Sequence, residues 1–329
     1  MAKPQPPAES STVQATGTLT LGPVNLPFTL EAQVTITPGN GPTPPPDDYP
    51  NEPPGLEIAS EWAMADPIPP GPMVPPGAPV PGPGEPCPPY TDDPIEGSGG
   101  WRCIYNHQAG SVCPDQPGNP YANTPLGWCL LDAAEDPPAT CMVYPIGMRL
   151  GISPATLYKA WSTSQGYRRM YAGFWWKPSD PTDFGGIGQK ICFMFNGGGG
   201  PDPNVSGGQA FLGFSPDRQL VVMPEYPDPP PTSPLYRVRY PNVTTTQVTL
   251  GEWHLVEWYL QIADHDDPAV NRCQWWLDNV LQGDYTDIWN KAPFDMFQFS
   301  PTFGGNGDTY KTEEDYYWFR NLRLCLGTL

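Results

Sequence analysis

The sequence GEWHLVEWYLQI at residues 251–262, followed by CQWWLDN at residues 273–279, is the strongest indication of the fold class. Alternate residues of a strand face opposite sides of its sheet. Between residues 253 and 260 both alternate sets are largely apolar. One set holds Trp253, Leu255, Glu257 and Tyr259, and the other holds His254, Val256, Trp258 and Leu260. Apolar residues on both sides are typical of an inner strand packed between layers.

Similar aromatic-rich segments lie before and after this pair of strands. Residues 168–176, 189–195 and 316–324 are rich in aromatic and β-branched residues, which favours strands. Together the segments predict an all-β, antiparallel sandwich. Residues 153–161 predict the one helix, because Ser153 can cap it and Pro154 fits its first turn.

Four segments occur in an order that is known from one fold family. They are Phe174-Trp-Trp-Lys-Pro178, Gly251-Glu-Trp-His254, the Trp-Trp-Leu-Asp-Asn run ending at Asn279, and Phe319-Arg-Asn-Leu-Arg-Leu324. This order resembles the concanavalin A-like lectin/glucanase jelly roll over residues 165–329, with Asn279 where that family usually has glycine. The resemblance implies an antiparallel jelly-roll β-sandwich and a polysaccharide ligand. It says less about function, because the superfamily includes lectins, hydrolases, lyases and viral modules.

Composition divides the chain into three parts. Alternation within residues 18–21 and 28–36 predicts a short β strand pair in residues 1–37, which we interpret as an N-terminal assembly element. Residues 38–97 are proline-rich and favour an extended arm or linker. Residues 98–329 are the predicted jelly-roll domain. Its cysteine-rich entry segment, residues 98–150, forms either the first strands of the jelly roll or a stapled subdomain in front of it.

The chain is acidic, with a net charge of −19 and no run of basic residues. Nucleic acid is therefore not an expected partner. No stretch of 18 apolar residues occurs, so membrane insertion is not expected either, and the N-terminus has no apolar leader. These features predict a location on a virion surface or outside the cell. The expected partners are other copies of the chain in a homo-oligomer, or other shell or fibre proteins, through residues 1–97, together with polysaccharide.

No catalytic residues are predicted. Glucanases of the superfamily that this chain resembles carry E-x-D-x-x-E on one strand, which places their carboxylates on one face. The nearest run here is Glu313-x-Asp315-x-x-Trp318, which lacks the third acid. These acids are more simply a solvated turn, so the chain is expected not to be an enzyme.

Aromatic side chains are the candidate carbohydrate-binding residues. The candidates are Trp175, Trp176, Trp275, Trp276, Tyr285 and Trp289. Adjacent tryptophans point to opposite sides of a strand, so at most one of each pair belongs to the core. The other stacks on a sugar, contacts a neighbouring subunit or covers the sheet, since exposed aromatics mark interfaces of several kinds.

Aspartates and cysteines provide two further sets of candidates. A structural calcium ion would need oxygen ligands, and no other cofactor is expected. The candidate calcium ligands are Asp264, Asp266, Asp308 and Asp315. The turn-rich stretch around residues 87–141 predicts disulfides, which would compensate for a small core, with buried free thiols as the alternative. The disulfide candidates are Cys87, Cys103, Cys113, Cys129 and Cys141.

These observations lead to one expected function and two alternatives. The expected function is a non-enzymatic structural or surface protein, a phage-like virion component that displays a lectin-like jelly roll on a proline-rich arm. The alternatives are a secreted carbohydrate-binding module and a polysaccharide lyase or hydrolase.

Overall fold

The computed structural model consists of two units, residues 1–48 and 49–329. It describes residues 9–21, 24–36, 49–69, 92–113, 115, 121–186, 188–196, 208–225, 237–263, 270–288, 292–305 and 307–329. In the first unit, β1 (Glu9–Leu21) and β2 (Val24–Ile36) form an antiparallel pair, in register from Leu21 opposite Val24 to Glu9 opposite Ile36. This is the strand pair that the alternating pattern predicts.

The second unit contains fifteen strands within its described residues. They are β3 (Glu57–Trp62), β4 (Asp93–Pro94), β5 (Arg102–Asn106), β6 (Trp128–Asp132), β7 (Ala139–Tyr144), β8 (Ala155–Ala160), β9 (Arg169–Pro178), β10 (Gln189–Asn196), β11 (Gln209–Phe214), β12 (Leu220–Glu225), β13 (His254–Gln261), β14 (Arg272–Leu277), β15 (Val280–Tyr285), β16 (Phe294–Phe299) and β17 (Asp315–Gly327). The helical structure in these residues is a 3-10 turn, Thr163–Gln165. No described helix is long and apolar enough to cross a membrane.

The strands form two antiparallel sheets. The seven-stranded sheet has the order β12-β11-β10-β16-β8-β5-β4. The eight-stranded sheet has the order β15-β14-β13-β9-β17-β7-β6, and β3 pairs with β17. The sheets pack through aromatic side chains: Phe174 lies edge-on to Phe299 at 5.1 Å between ring centroids, and Trp176 lies edge-on to Phe214 at 4.9 Å. The all-β antiparallel sandwich is confirmed.

Strand β13 has the two-sided packing that its sequence predicts. It lies between β14 and β9. Val256, Trp258 and Leu260 belong to the core between the sheets, whereas Tyr259 belongs to a separate apolar cluster on the outer face. Glu257 shares that outer face and is fully buried.

The helix predicted for residues 153–161 is wrong, because residues 155–160 form strand β8. Two neighbours, β16 and β5, pair with this strand and satisfy its backbone. Ala155 and Leu157, two residues apart, are both buried in the core, which is strand periodicity. Ser153 Oγ donates to the Ala155 carbonyl instead of capping a helix. Tertiary pairing here overrides a local helix signal.

Two segments join the sandwich more closely than composition indicates. Residues 49–69, assigned by sequence to the arm, lie in the second unit, where Trp62 stacks on Trp101 at 5.1 Å. The stretch 98–150 supplies β5 to one sheet and β6 and β7 to the other, so it is part of the sandwich. Residues 70–91 lie outside the described residues.

Candidate functional site

A continuous row of side chains crosses the outer face of the seven-stranded sheet. Its register runs through Arg102, Tyr158, Gln298, Phe193, Phe211 and Met223. The row is polar at its β5 end and apolar at its β12 end. Phe193 and Phe211 belong to an apolar cluster separate from the core between the sheets. One strip of this face therefore offers both apolar and hydrogen-bonding groups.

A cavity of about 310 Å³ lies at the apolar end of this row. Phe211, Val221 and Met223 form its apolar lining, while Lys190 and Glu225 provide charged groups. Ligand sites are typically concave and mostly apolar, with a few polar groups that fix orientation. The cavity has this composition, which makes it the candidate functional site.

Lys190 connects the charged and the aromatic parts of the cavity. Its Nζ lies 4.8 Å from the ring centroid of Phe211 and 5.5 Å from that of Phe193, which are cation–π distances. The same Nζ lies 3.9 Å from Glu225 Oε1. Gln209 Nε2 donates to Glu225 Oε2. Both charged side chains keep about a quarter of their surface exposed, 24% for Lys190 and 22% for Glu225, so each can reach a ligand.

Tyr240 lines the cavity from a firmly anchored segment. Its neighbour Arg239 is buried and forms a two-way backbone bridge with Val222 of β12, at 3.0 and 2.7 Å. Arg239 Nε also donates to Asp287 Oδ1 at 2.9 Å. Tyr285 Oη donates to the Tyr240 carbonyl at 2.7 Å. Tyr240 is nevertheless 51% exposed, so a hydrogen-bonded backbone presents an accessible residue to the cavity.

The polar end of the row is a small hydrogen-bonded group. Tyr158 Oη donates to Asp92 Oδ1 at 2.6 Å, and Arg102 Nε donates to the same oxygen at 2.6 Å. Burial, followed by the bond to Asp92, raises the pKa of Tyr158 to about 12. The hydroxyl of Tyr158 is a hydrogen-bond donor in this group.

The structure does not bring together the five predicted aromatic residues that it describes. Trp176 and Trp275 are fully buried between the sheets, and Trp276 is buried on the outer face of the eight-stranded sheet. Tyr285 is half-buried and stacks on Trp275 at 5.8 Å, so it supports the cavity wall indirectly through Tyr240. Trp289 lies outside the described residues.

Trp175 lies in a different aromatic group, on the outer face of the eight-stranded sheet. The chain's own cations contact this group: Arg320 Cζ lies 4.0 Å from the Trp253 centroid and 5.9 Å from that of Trp175. Lys177 Nζ lies 4.3 Å from the Trp318 centroid. Trp175 is half-buried, so part of it stays accessible beside these contacts.

The chain also covers the other half of this outer face. Residues 49–56, here called the strap, lie across β9, β13 and β17. Asn51 Nδ2 and N donate to the two carboxylate oxygens of Glu257 at 2.7 and 3.1 Å, and Tyr171 Oη donates to Glu257 Oε1 at 2.6 Å. Tyr49 Oη donates to the Asn321 carbonyl. The buried carboxylate is thus held by groups of the chain itself.

The described calcium candidates have lysine or arginine partners. Asp315 is fully buried and accepts from Lys311 Nζ at 2.6 Å, and Asp308 pairs with Arg149 at 2.5 Å. The positive charge that faces Asp315 is therefore that of Lys311, a residue of the chain itself. Asp264 and Asp266 lie outside the described residues. Within the described ranges no group of three or more acids, histidines and cysteines could hold a metal ion.

The cysteines divide into two kinds. Cys103, Cys129 and Cys141 are buried and not disulfide-bonded, so the disulfide prediction is wrong for these three. They sit on strands β5, β6 and β7 inside the sandwich, where apolar packing makes a covalent staple unnecessary. Cys113 is disulfide-bonded. Cys87 lies outside the described residues.

Sequence patterns missed the residues that line the cavity. Phe211 lies on a strand that is apolar on both faces, QAFLGF, which on sequence alone indicates a core residue. Tyr240 follows a stretch without periodicity. One sequence feature could have pointed to the cavity. Lys190 and Glu225 are charged residues near the ends of largely apolar strands.

Comparisons with known proteins give a fold-level likeness only. No family model and no curated protein matches the sequence. Among solved structures, the chain is similar to the alginate lyase Aly36B, with 15% identity, a TM-score of 0.44, and 60% of this chain and 84% of that chain covered. It is also similar to the binding domain of botulinum neurotoxin serotype C1, with 11% identity, a TM-score of 0.41, and 62% and 43% covered. Likenesses this distant do not bear on the function of this chain.

Proposed function

We propose that this chain is a non-enzymatic surface protein whose β-sandwich binds an oligosaccharide in the cavity on the seven-stranded sheet. One observation carries the proposal: an apolar lining with the ring of Phe211 faces the Lys190–Glu225 pair and lies beside the exposed Tyr240. Sugar rings have apolar faces that stack on aromatic side chains. Their hydroxyl groups bond to carboxylates and ammonium groups at the edge of the ring.

The size and chemistry of the cavity agree with a sugar ligand. A volume of about 310 Å³ lies at the lower end of the range of ligand pockets, which suits roughly one or two sugar rings. Glu225 accepts from hydroxyls and Lys190 donates to them, so a ligand with both kinds of group is matched. The row toward Gln298 and Tyr158 provides further hydrogen-bonding groups along the same strip.

The described residues favour binding over catalysis. Glu313 is exposed, whereas Asp315 is buried against Lys311, so the near match to a glucanase motif does not form a carboxylate pair facing one cleft. Tyr158, on the candidate face, donates its hydroxyl to Asp92. We therefore assign the cavity to recognition.

The N-terminal part of the chain is the proposed attachment device. A two-stranded sheet is marginally stable by itself, so β1 and β2 need a partner. With the proline-rich stretch, this unit would join the sandwich to other copies or to shell or fibre proteins, as in a virion component with a concanavalin A-like domain. A secreted carbohydrate-binding module is the alternative, and there the N-terminal residues would be dispensable for function.

Glycan binding by the full chain tests the proposal. Neutral and acidic oligosaccharides are screened on an array, and hits are measured by titration calorimetry. We expect Tyr240→Ala and Lys190→Met each to weaken binding about tenfold, the effect of losing roughly 1.4 kcal/mol. Tyr310→Ala is the matched control, since Tyr310 is 45% exposed and does not line the cavity. Binding that is absent from the whole panel, or equally affected by Tyr310→Ala, would contradict the proposal.

A further inference from the structure

The register of the first unit separates its residues by polarity. Odd-numbered residues of β1 share a face with even-numbered residues of β2. From Val13 to Val34 every residue on this face is apolar or glycine, and Ile36 extends it. The face contains Val13, Ala15, Gly17, Leu19, Leu21, Val24, Leu26, Phe28, Leu30, Ala32, Val34 and Ile36, with Glu9 and Ser11 at its open end. The opposite face carries threonine, serine, glutamine, asparagine, glutamate and one proline.

The area of this apolar face follows from the dimensions of the strands. Strands of 13 residues are about 44 Å long, and a strand pair is about 10 Å wide, so the face measures roughly 400 Å². Exposed apolar patches of this size mark interaction sites. Two strands alone do not form a stable sheet in water. The pair therefore requires a covering surface of similar length.

The charges and edges of the strand pair identify the covering surface. The two strands contain Glu9 and Glu31 and no lysine, arginine or histidine. A charged partner would have little to recognise here, whereas an identical apolar face would match it throughout. Protected edge strands usually carry lysines or prolines, and these strands carry only Pro27, near the turn. Both features fit association between identical strand pairs.

We propose that the apolar face of β1 and β2 packs against the same face of other copies of this chain. The inference rests on the attachment role proposed for the first unit. It specifies that the partner in this attachment is another copy of the chain. About 400 Å² per copy is half of the roughly 800 Å² that a stable pair buries per partner. Additional copies or edge pairing must therefore add to the face contact.

The mass of the full chain in solution tests the proposal. Analytical ultracentrifugation of the unaltered protein is expected to give a multiple of 36.0 kDa. Leu30→Asp places a charge on the apolar face and is expected to reduce the mass to that of one chain. Thr29→Asp is the matched control: it adds the same charge one residue away, on the polar face, and is expected to keep the oligomer.

A mixing experiment separates loss of contact from loss of folding. Leu30→Asp and Leu30→Lys chains are each expected to be monomeric, and an equimolar mixture is expected to recover the oligomer through opposite charges. A monomeric unaltered chain, or dissociation of Thr29→Asp as complete as that of Leu30→Asp, would overturn the proposal. So would a mixture that stays monomeric. Glycan binding measured on the same samples reports on the cavity separately, so the two proposals can fail independently.

Discussion

The outer face of each sheet carries a glutamate that accepts a hydrogen bond from an amide side chain. One of these glutamates is buried, and the other lines a cavity. On the eight-stranded sheet, Glu257 accepts from Asn51 and Tyr171 beneath the strap and is fully buried. On the seven-stranded sheet, Glu225 accepts from Gln209, faces Lys190 across 3.9 Å and lines a cavity. Similar local chemistry is therefore structural where the chain covers it and available for a ligand where the chain leaves a cavity.

Removing the amide partner on each face should give the largest difference. Asn51→Ala removes the side-chain donor to Glu257 Oε2 and leaves that oxygen of the buried carboxylate without this bond, so we expect the free energy of unfolding to fall by about 2 to 3 kcal/mol. Gln209→Ala is expected to lower it by less than about 1 kcal/mol, because water reaches Glu225. Urea denaturation of both variants measures the two values. Equal losses in the free energy of unfolding would show that Glu257 and Glu225 depend equally on their amide partners, which would contradict the comparison.

A methyl group added at the centre of each face should give a smaller difference. A Cβ at Gly173 would lie 2.4 Å from Tyr49 Cδ1 and 2.8 Å from Tyr171 Oη, so Gly173→Ala must displace the strap. We expect a loss of about 1 to 2 kcal/mol. A Cβ at Gly213 would lie 3.1 Å from the Gln189 carbonyl oxygen and 3.3 Å from Phe211, so Gly213→Ala should cost less. Thermal unfolding gives both values, and a larger loss for Gly213→Ala would reverse the comparison.

The pH dependence of stability should give the smallest effect, and it should come from β13. His254 Nδ1 lies 2.7 Å from Asp278 Oδ2 and its Nε2 lies 2.9 Å from the Thr249 carbonyl. Burial lowers the pKa of His254, but the Asp278 and Thr249 bonds outweigh it, and the pKa is raised overall. The stabilisation is therefore complete below the unfolded pKa of about 6.5 and is lost as pH rises through the folded pKa.

His254→Gln measures this contribution. We expect the variant to be less stable than the unaltered chain by about 1 kcal/mol at pH 5.5, a value reduced by the exposure of Asp278. The difference should shrink at pH 9. Denaturation curves at the two pH values check this, and a difference that grows with pH would contradict the sign. Ligand binding in the cavity should not change in the variant, because His254 lies on the other sheet.

The sequence predicted the parts of this molecule that follow from periodicity. The two-sided apolar pattern of β13 and the alternation in β1 and β2 correctly predicted strands. Both patterns can be recognised from residues that are close together in the sequence. The strand β8 was missed because its pairing with β5 and β16 is not visible within residues 153–161. The cavity was missed for a similar reason: Lys190, Phe211 and Tyr240 meet through strand order and through the Arg239 anchor, not through spacing in the sequence.

The strap also determines where mechanical load enters the sandwich. Residue 49 is the first residue of the second unit, so a pull on the N-terminal residues reaches the sandwich there. The first bonds to resist are those of Tyr49 with Asn321, Asn51 with Glu257, and Glu52 with Arg323. They attach to β13 and β17, two inner strands of the sheet, before the chain continues into β3.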